Sequence, residues 1–173
     1  MTTRFFKNAA LGLLLLALCG CGYQLSNTGK SQLPAHIRTL AIPIISNSSG
    51  EPEIHRELTD EIRRAFISDG RLKVVDEGKA DLILKGSLVW YNLRAVSFSA
   101  DDFVSEYWVE IKVDFEATDV KKKRPLLKQQ LKTKWDFRAT ENVISTEQAR
   151  IDAIDQSFSD LSSRIVSLLI DRF

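Results

Sequence analysis

The chain has 173 residues, 44% hydrophobic and 27% charged, and its 24 Lys and Arg against 23 Asp and Glu give a formal charge of +1. Such a composition suits one globular domain; it offers no charge excess for nucleic acid, and 9% aromatic residues is too many for a disordered chain. Its two cysteines, Cys19 and Cys21, sit too close together and too near the N-terminus to staple a core or build a metal cluster.

Arg4 and Lys7 precede an apolar run from Ala9 to Leu18, which is too short for a bilayer core that needs about 20 residues and reads as a signal peptide over residues 1–20. The following Leu18-Cys19-Gly20-Cys21 resembles a bacterial lipobox, in which a small residue precedes the acylated cysteine. Gly20 places that cysteine at Cys21, since bulky Leu18 precedes Cys19. Gly22 rather than Asp after it resembles the sorting pattern for the outer membrane. Cleavage removes Arg4 and Lys7 and no acid, so the charge falls from +1 to −1. Residues 21–36, broken by Gly29 and Pro34, read as a lipidated N-terminus and tether, and residues 37–173 as a single domain.

Arg38 to Ile45 suits a first strand, with Pro43 pushing it toward an edge or a bulge. Beyond Pro52, the spacing of Ile54, Leu58, Ile62 and Phe66 predicts an amphipathic helix closed by Gly70. Arg71–Val75 and Asp81–Asn92 read as strands. The second is apolar on both alternating sets, Leu82, Leu84, Leu88 and Trp90 against Ile83, Val89 and Tyr91, which suits a central position. Tyr107 to Ala117 alternates with Trp108, Glu110, Lys112, Asp114 and Glu116, a strand with one wet face. A basic turn at residues 121–125 joins it to Leu127–Phe137 as an antiparallel hairpin. Ser145 and Gln148 resemble a capping box for a last helix with Ile151, Ile154, Phe158, Leu161, Ile165 and Leu168 on one stripe. The order β-α-β-β-β-β-α gives an α+β two-layer sandwich, a mixed sheet with both amphipathic helices on one face.

Catalytic chemistry is not apparent. His36 and His55 are the only histidines and neither has an evident partner in the sequence; no nucleophile elbow, phosphate loop or helical metal pair occurs. Gly86 in mid-strand reads as a close backbone approach, and Asp101-Asp102 as a polar loop tip. The chain reads as a binding or assembly protein, with no cofactor and no metal.

Cys21-Gly22-Tyr23-Gln24-Leu25, Leu33-Pro34, the Ile37–Pro43 segment, Asn47, Glu57-Leu58-Thr59, Asp69-Gly70-Arg71-Leu72, Ala80–Gly86, Tyr107-Trp108-Val109, and Ala149 with Ala153 together resemble the lipopolysaccharide-assembly lipoprotein family LptE, in order and spacing. The resemblance implies a non-catalytic outer-membrane lipoprotein that faces the periplasm, plugs the β-barrel LptD, assists its assembly and binds lipopolysaccharide. Lipid A phosphates call for cations, so Lys121, Lys122, Lys123, Arg124, Lys132, Lys134 and Arg138 are the ligand candidates. Arg94, Phe98, Phe103 and Trp108 are candidates for the barrel interface. The same basic residues also fit a solvated strand face on which Glu110, Asp114 and Glu116 pair with lysines across the hairpin. The alternative from another class is a periplasmic outer-membrane lipoprotein that regulates a cell-wall synthase or forms part of a secretion assembly.

Overall fold

The computed structural model describes residues 33–171, so the expected signal peptide, the expected lipidation site at Cys21 and most of the expected tether lie outside the described residues. Six strands and two helices follow one another: β1 (Thr39–Ala41), β2 (Ser46–Asn47), α1 (Ile54–Asp69), β3 (Lys73–Val74), β4 (Leu82–Phe98), β5 (Val104–Asp119), β6 (Arg124–Arg138) and α2 (Val143–Ile170). They form the expected α+β sandwich. The sheet runs β3-β1-β4-β5-β6 with β2 also on β4; β1 pairs in parallel with β3 and with β4, β2 pairs in parallel with β4, and β4, β5 and β6 form two long antiparallel hairpins.

The core lies between one sheet face and the two helices. α1 buries Ile54, Leu58, Ile62 and Phe66, the stripe its spacing predicts, and ends on Gly70 in the left-handed conformation that glycine adopts without steric cost. From β5, Val109, Ile111, Val113, Phe115 and Ala117 point into this core. Leu33 and Ile37 are buried too, so packing begins ahead of the expected domain start at residue 37.

Four local expectations change. Residues 38–45 do not make one strand: Pro43 falls in a break between β1, which lies between β3 and β4 rather than at an edge, and β2, and α1 satisfies the backbone in the gap. Arg63 donates to the Ile42 carbonyl at 3.0 and 2.7 Å, and the Ile45 N–H donates to the Thr59 hydroxyl at 3.1 Å. In β4 the register shifts between Leu88 and Trp90, which turns Trp90 to the outer face and Tyr91 inward, against strict alternation. The cap of α2 is Asn142, not Ser145; its side chain accepts from the Ile144 and Ser145 N–H groups at 2.9 and 3.1 Å. Finally, Ile151 is exposed and Leu168 half-buried, because burial along α2 begins only at Ala153 and passes through Ser157 and Ser162.

Gly86 holds the close approach expected of it. A Cβ there would lie 2.9 Å from Ile45 Cγ1 and 3.2 Å from Phe115 Cε1, both on buried side chains. Gly86→Ala should therefore lower stability by about 1–3 kcal/mol in urea unfolding through overpacking. An unchanged unfolding midpoint would show that Ile45 moves aside at no cost.

Candidate ligand and partner surface

The helices cover one face of the sheet, and no described residue packs as a layer on the other. Alternation along β5 delivers Trp108, Glu110, Lys112, Asp114 and Glu116 to this bare face. The pairing register aligns them with their neighbours in rows. Arg94, Trp108 and Asp136 form one; Asn92, Glu110 and Lys134 the next; Trp90, Lys112 and Lys132 a third.

Cations gather over the two tryptophans of these rows. Arg94 lies 5.0 Å and Lys134 3.4 Å from the Trp108 ring centre, and Lys112 lies 5.2 Å from that of Trp90. Lys112 and Lys132 stand directly opposite each other, an unfavourable like-charge pair unless an anion lies between them. The expected lysine–carboxylate pairing across the hairpin does not form among the described residues. Glu110 accepts from Asn92 at 3.4 Å and Asp114 from Gln130 at 2.7 Å, while Lys134 turns to Trp108. Trp90 was not legible as a surface residue, since only the bulge before it reverses its side.

The basic candidates do not form one patch. Lys121, Lys122 and Lys123 lie in the β5–β6 turn and Arg124 opens β6, whereas Lys134 is ten residues further along that strand, about 33 Å away. Lys132 and Lys134 share the bare face with Arg94 and Trp108; Arg138 faces Glu106 at its far end. Phe98 and Phe103 stand at the tip of the β4–β5 hairpin, 60% and 74% exposed. There Phe103 and Tyr107 line a cleft of about 810 Å³ against Val143 and Thr146 at the start of α2, and the ring of Tyr107 stacks on Phe137 at 5.3 Å. Asp101 and Asp102 do form the loop tip, with Asp102 in a left-handed conformation. Among the described residues no group of three His, Cys, Asp or Glu side chains is placed to hold a metal.

With this geometry in place, the comparisons decide the family. A family model described as lipopolysaccharide-assembly, LptE, matches residues 37–169. The chain belongs to the LptE family. Its fold is similar to that of lipoprotein B from Nitrosomonas europaea, at 17% identity and a TM-score of 0.54 over 77% of this chain and 81% of that one. The rare lipoprotein B of Shewanella oneidensis is similar at 17% identity and a TM-score of 0.50, over 71% of this chain and 90% of the other. A PelC dodecamer from Paraburkholderia phytofirmans reaches 13% identity and a TM-score of 0.50, over 82% and 95% of the two chains. At these identities the likeness is one of fold alone. A search of the curated proteins finds no match.

At the opposite end of the sheet His36, which showed no evident partner in the sequence, has one. Its Nε2 lies 2.8 Å from Asp119 Oδ2, and the Asp119 side chain has no exposed surface. Burial pushes the Asp119 carboxyl up, but the Lys122 N–H and the His36 ring together outweigh it and hold the group below the usual carboxylate value. Asp81 is also held low, by the Arg38 N–H and then the Thr39 hydroxyl. A carboxyl with a depressed folded pKa stabilises the fold above its unfolded value and loses that contribution as pH falls through the folded one. Stability against denaturant should therefore fall progressively below about pH 4. Asp119→Asn should be less stable than the parent at neutral pH and flatter in its acid dependence; equal acid slopes in the two proteins would show that Asp119 is not among the titrating groups.

Proposed function

We propose that this member of the LptE family is an outer-membrane lipoprotein, acylated at Cys21 and facing the periplasm, that seats in an LptD-type β-barrel and contacts lipopolysaccharide on its way to the cell surface. The observation that carries the reading is the uncovered sheet face, where Trp108 is held between Arg94 and Lys134. A barrel lumen is polar, so a plug needs a surface of mixed charge and hydrogen-bonding groups rather than an apolar one. Glu110, Lys112, Asp114, Lys132 and Lys134 supply such a surface, and the two tryptophans supply flat contact area at low entropic cost.

The same face suits a phosphorylated sugar. Aromatic faces accept the ring, and Arg94, Lys112, Lys132 and Lys134 are placed to meet phosphate oxygens with charge-assisted hydrogen bonds. Phe98 and Phe103, on the hairpin tip beside the cleft, extend the barrel contact beyond the bare face. No step in this role breaks or forms a covalent bond, which agrees with the absence of a recognisable catalytic arrangement in the sequence.

The test is purification of the tagged lipoprotein from detergent-solubilised outer membranes. A large barrel protein recovered in stoichiometric amount supports the plug reading, and a synthase or secretion subunit in its place overturns it. Trp108→Ala should weaken recovery of the barrel roughly thirtyfold, as loss of an aromatic anchor at an interface centre does, while circular dichroism stays that of the folded parent. Undiminished recovery would remove Trp108 from the interface.

A further inference from the structure

Lys121, Lys122 and Lys123 with Arg124 are all exposed, yet the turn that carries them is firmly held. Buried Asp119 accepts the Lys122 N–H at 2.9 Å and contacts His36 at 2.8 Å. Beside it the Val120 N–H donates to the Asp81 carbonyl at 2.9 Å, and the Asp81 carboxylate accepts from the N–H groups of Arg38 and Thr39, each at 3.0 Å. The turn is thus fastened at two points to the segment through which the chain enters the domain. Exposed Arg38 and Lys79 add to the same end. Of the acids nearby, Asp81 and Asp119 are engaged as described and Asp69 and Asp171 pair with Arg71; Asp76 and Glu77 are exposed.

The tether starts here as well. His36 is fifteen residues from Cys21, a span of at most about 50 Å fully extended. Acyl chains on Cys21 therefore keep this end of the domain, and its cations, within that distance of a membrane surface. The turn offers cations and no aromatic face, a combination that recognises phosphate without regard to what bears it. The sugar-compatible surface lies elsewhere, around Trp108 and Trp90.

We propose that the Lys121–Arg124 turn docks on the anionic phospholipid headgroups of the leaflet that holds the Cys21 acyl chains. The inference rests on the lipoprotein reading and adds an orientation to it. With the turn against the leaflet, the strands carry Phe98, Phe103, Arg94 and Trp108 away from it, the 15 residues of β6 spanning about 50 Å. Lipid anchors become durable when a basic patch supplements them, because headgroup attraction adds to acyl partition.

The test reconstitutes the lipidated full chain in vesicles of phosphatidylcholine alone, of phosphatidylcholine with phosphatidylglycerol, and of phosphatidylcholine with lipopolysaccharide. Lysines are then acetylated with an amine-reactive reagent and read by mass spectrometry, with Lys85 and Lys128 on the bare face as internal controls. Acetylation of Lys121, Lys122 and Lys123 should slow about fivefold or more on phosphatidylglycerol, with the controls unchanged, and recover at high salt. Equal rates on the neutral and anionic phospholipid vesicles would overturn the proposal. Protection by lipopolysaccharide alone would also overturn it and assign the turn to the transported ligand. If Cys21 carries no acyl mass, the lipoprotein reading itself fails, an outcome the same spectra report separately.

Discussion

Val109, Ile111, Val113 and Phe115 are almost wholly buried beneath the helices, and because successive side chains on a strand point to opposite faces, their burial forces Trp108, Glu110, Lys112 and Asp114 outward together. β5 is paired on both sides along nearly its whole length, so it cannot slip by one residue without exchanging core and surface. Its register then sets what β4 and β6 present beside it. The rows that place Arg94 and Lys134 about one tryptophan, and Lys112 against Lys132, follow from this one strand.

The two ends of the sheet do different things. At one end the chain enters the domain, both helices finish, and buried Asp119 with Asp81 ties the basic turn to Arg38, Thr39 and His36. At the other end the first turns of α2 bury nothing, Val143 and Ile144 lie open, and Phe98 and Phe103 stand on an uncovered hairpin tip. One end is cross-linked by polar contacts and suits attachment. The other exposes apolar groups that a monomeric domain gains nothing from exposing.

Arg150 ties that more open end back to the body. It donates to the Tyr91 hydroxyl at 3.0 Å and to Glu51 at 3.4 Å, and it pairs with Glu147 on its own helix. Burial raises the Tyr91 hydroxyl pKa in spite of the nearby guanidinium. The contact joins α2, β4 and the loop before α1, so the position of α2 is held by a polar network where its apolar stripe has not yet begun.

The sequence by itself determined the helix stripe Ile54, Leu58, Ile62 and Phe66, its stop at Gly70, the alternation of β5, the Gly86 approach and the order of elements, because each is a local periodicity or a steric rule acting within a few residues. The proposed lipobox at Cys21 is a local pattern in the same sense, and the family pattern likewise resides in short segments at fixed spacing. Tertiary structure alone decided the rest. The Val89 bulge that sends Trp90 outward, the capture of Lys134 by Trp108 in place of Glu110, the meeting of His36 with Asp119 across 83 residues, and the separation of the basic residues into two groups all depend on which strand lies beside which and in what register. Composition and spacing carry no record of that, since the energy that fixes a register comes from a partner strand far away in the chain.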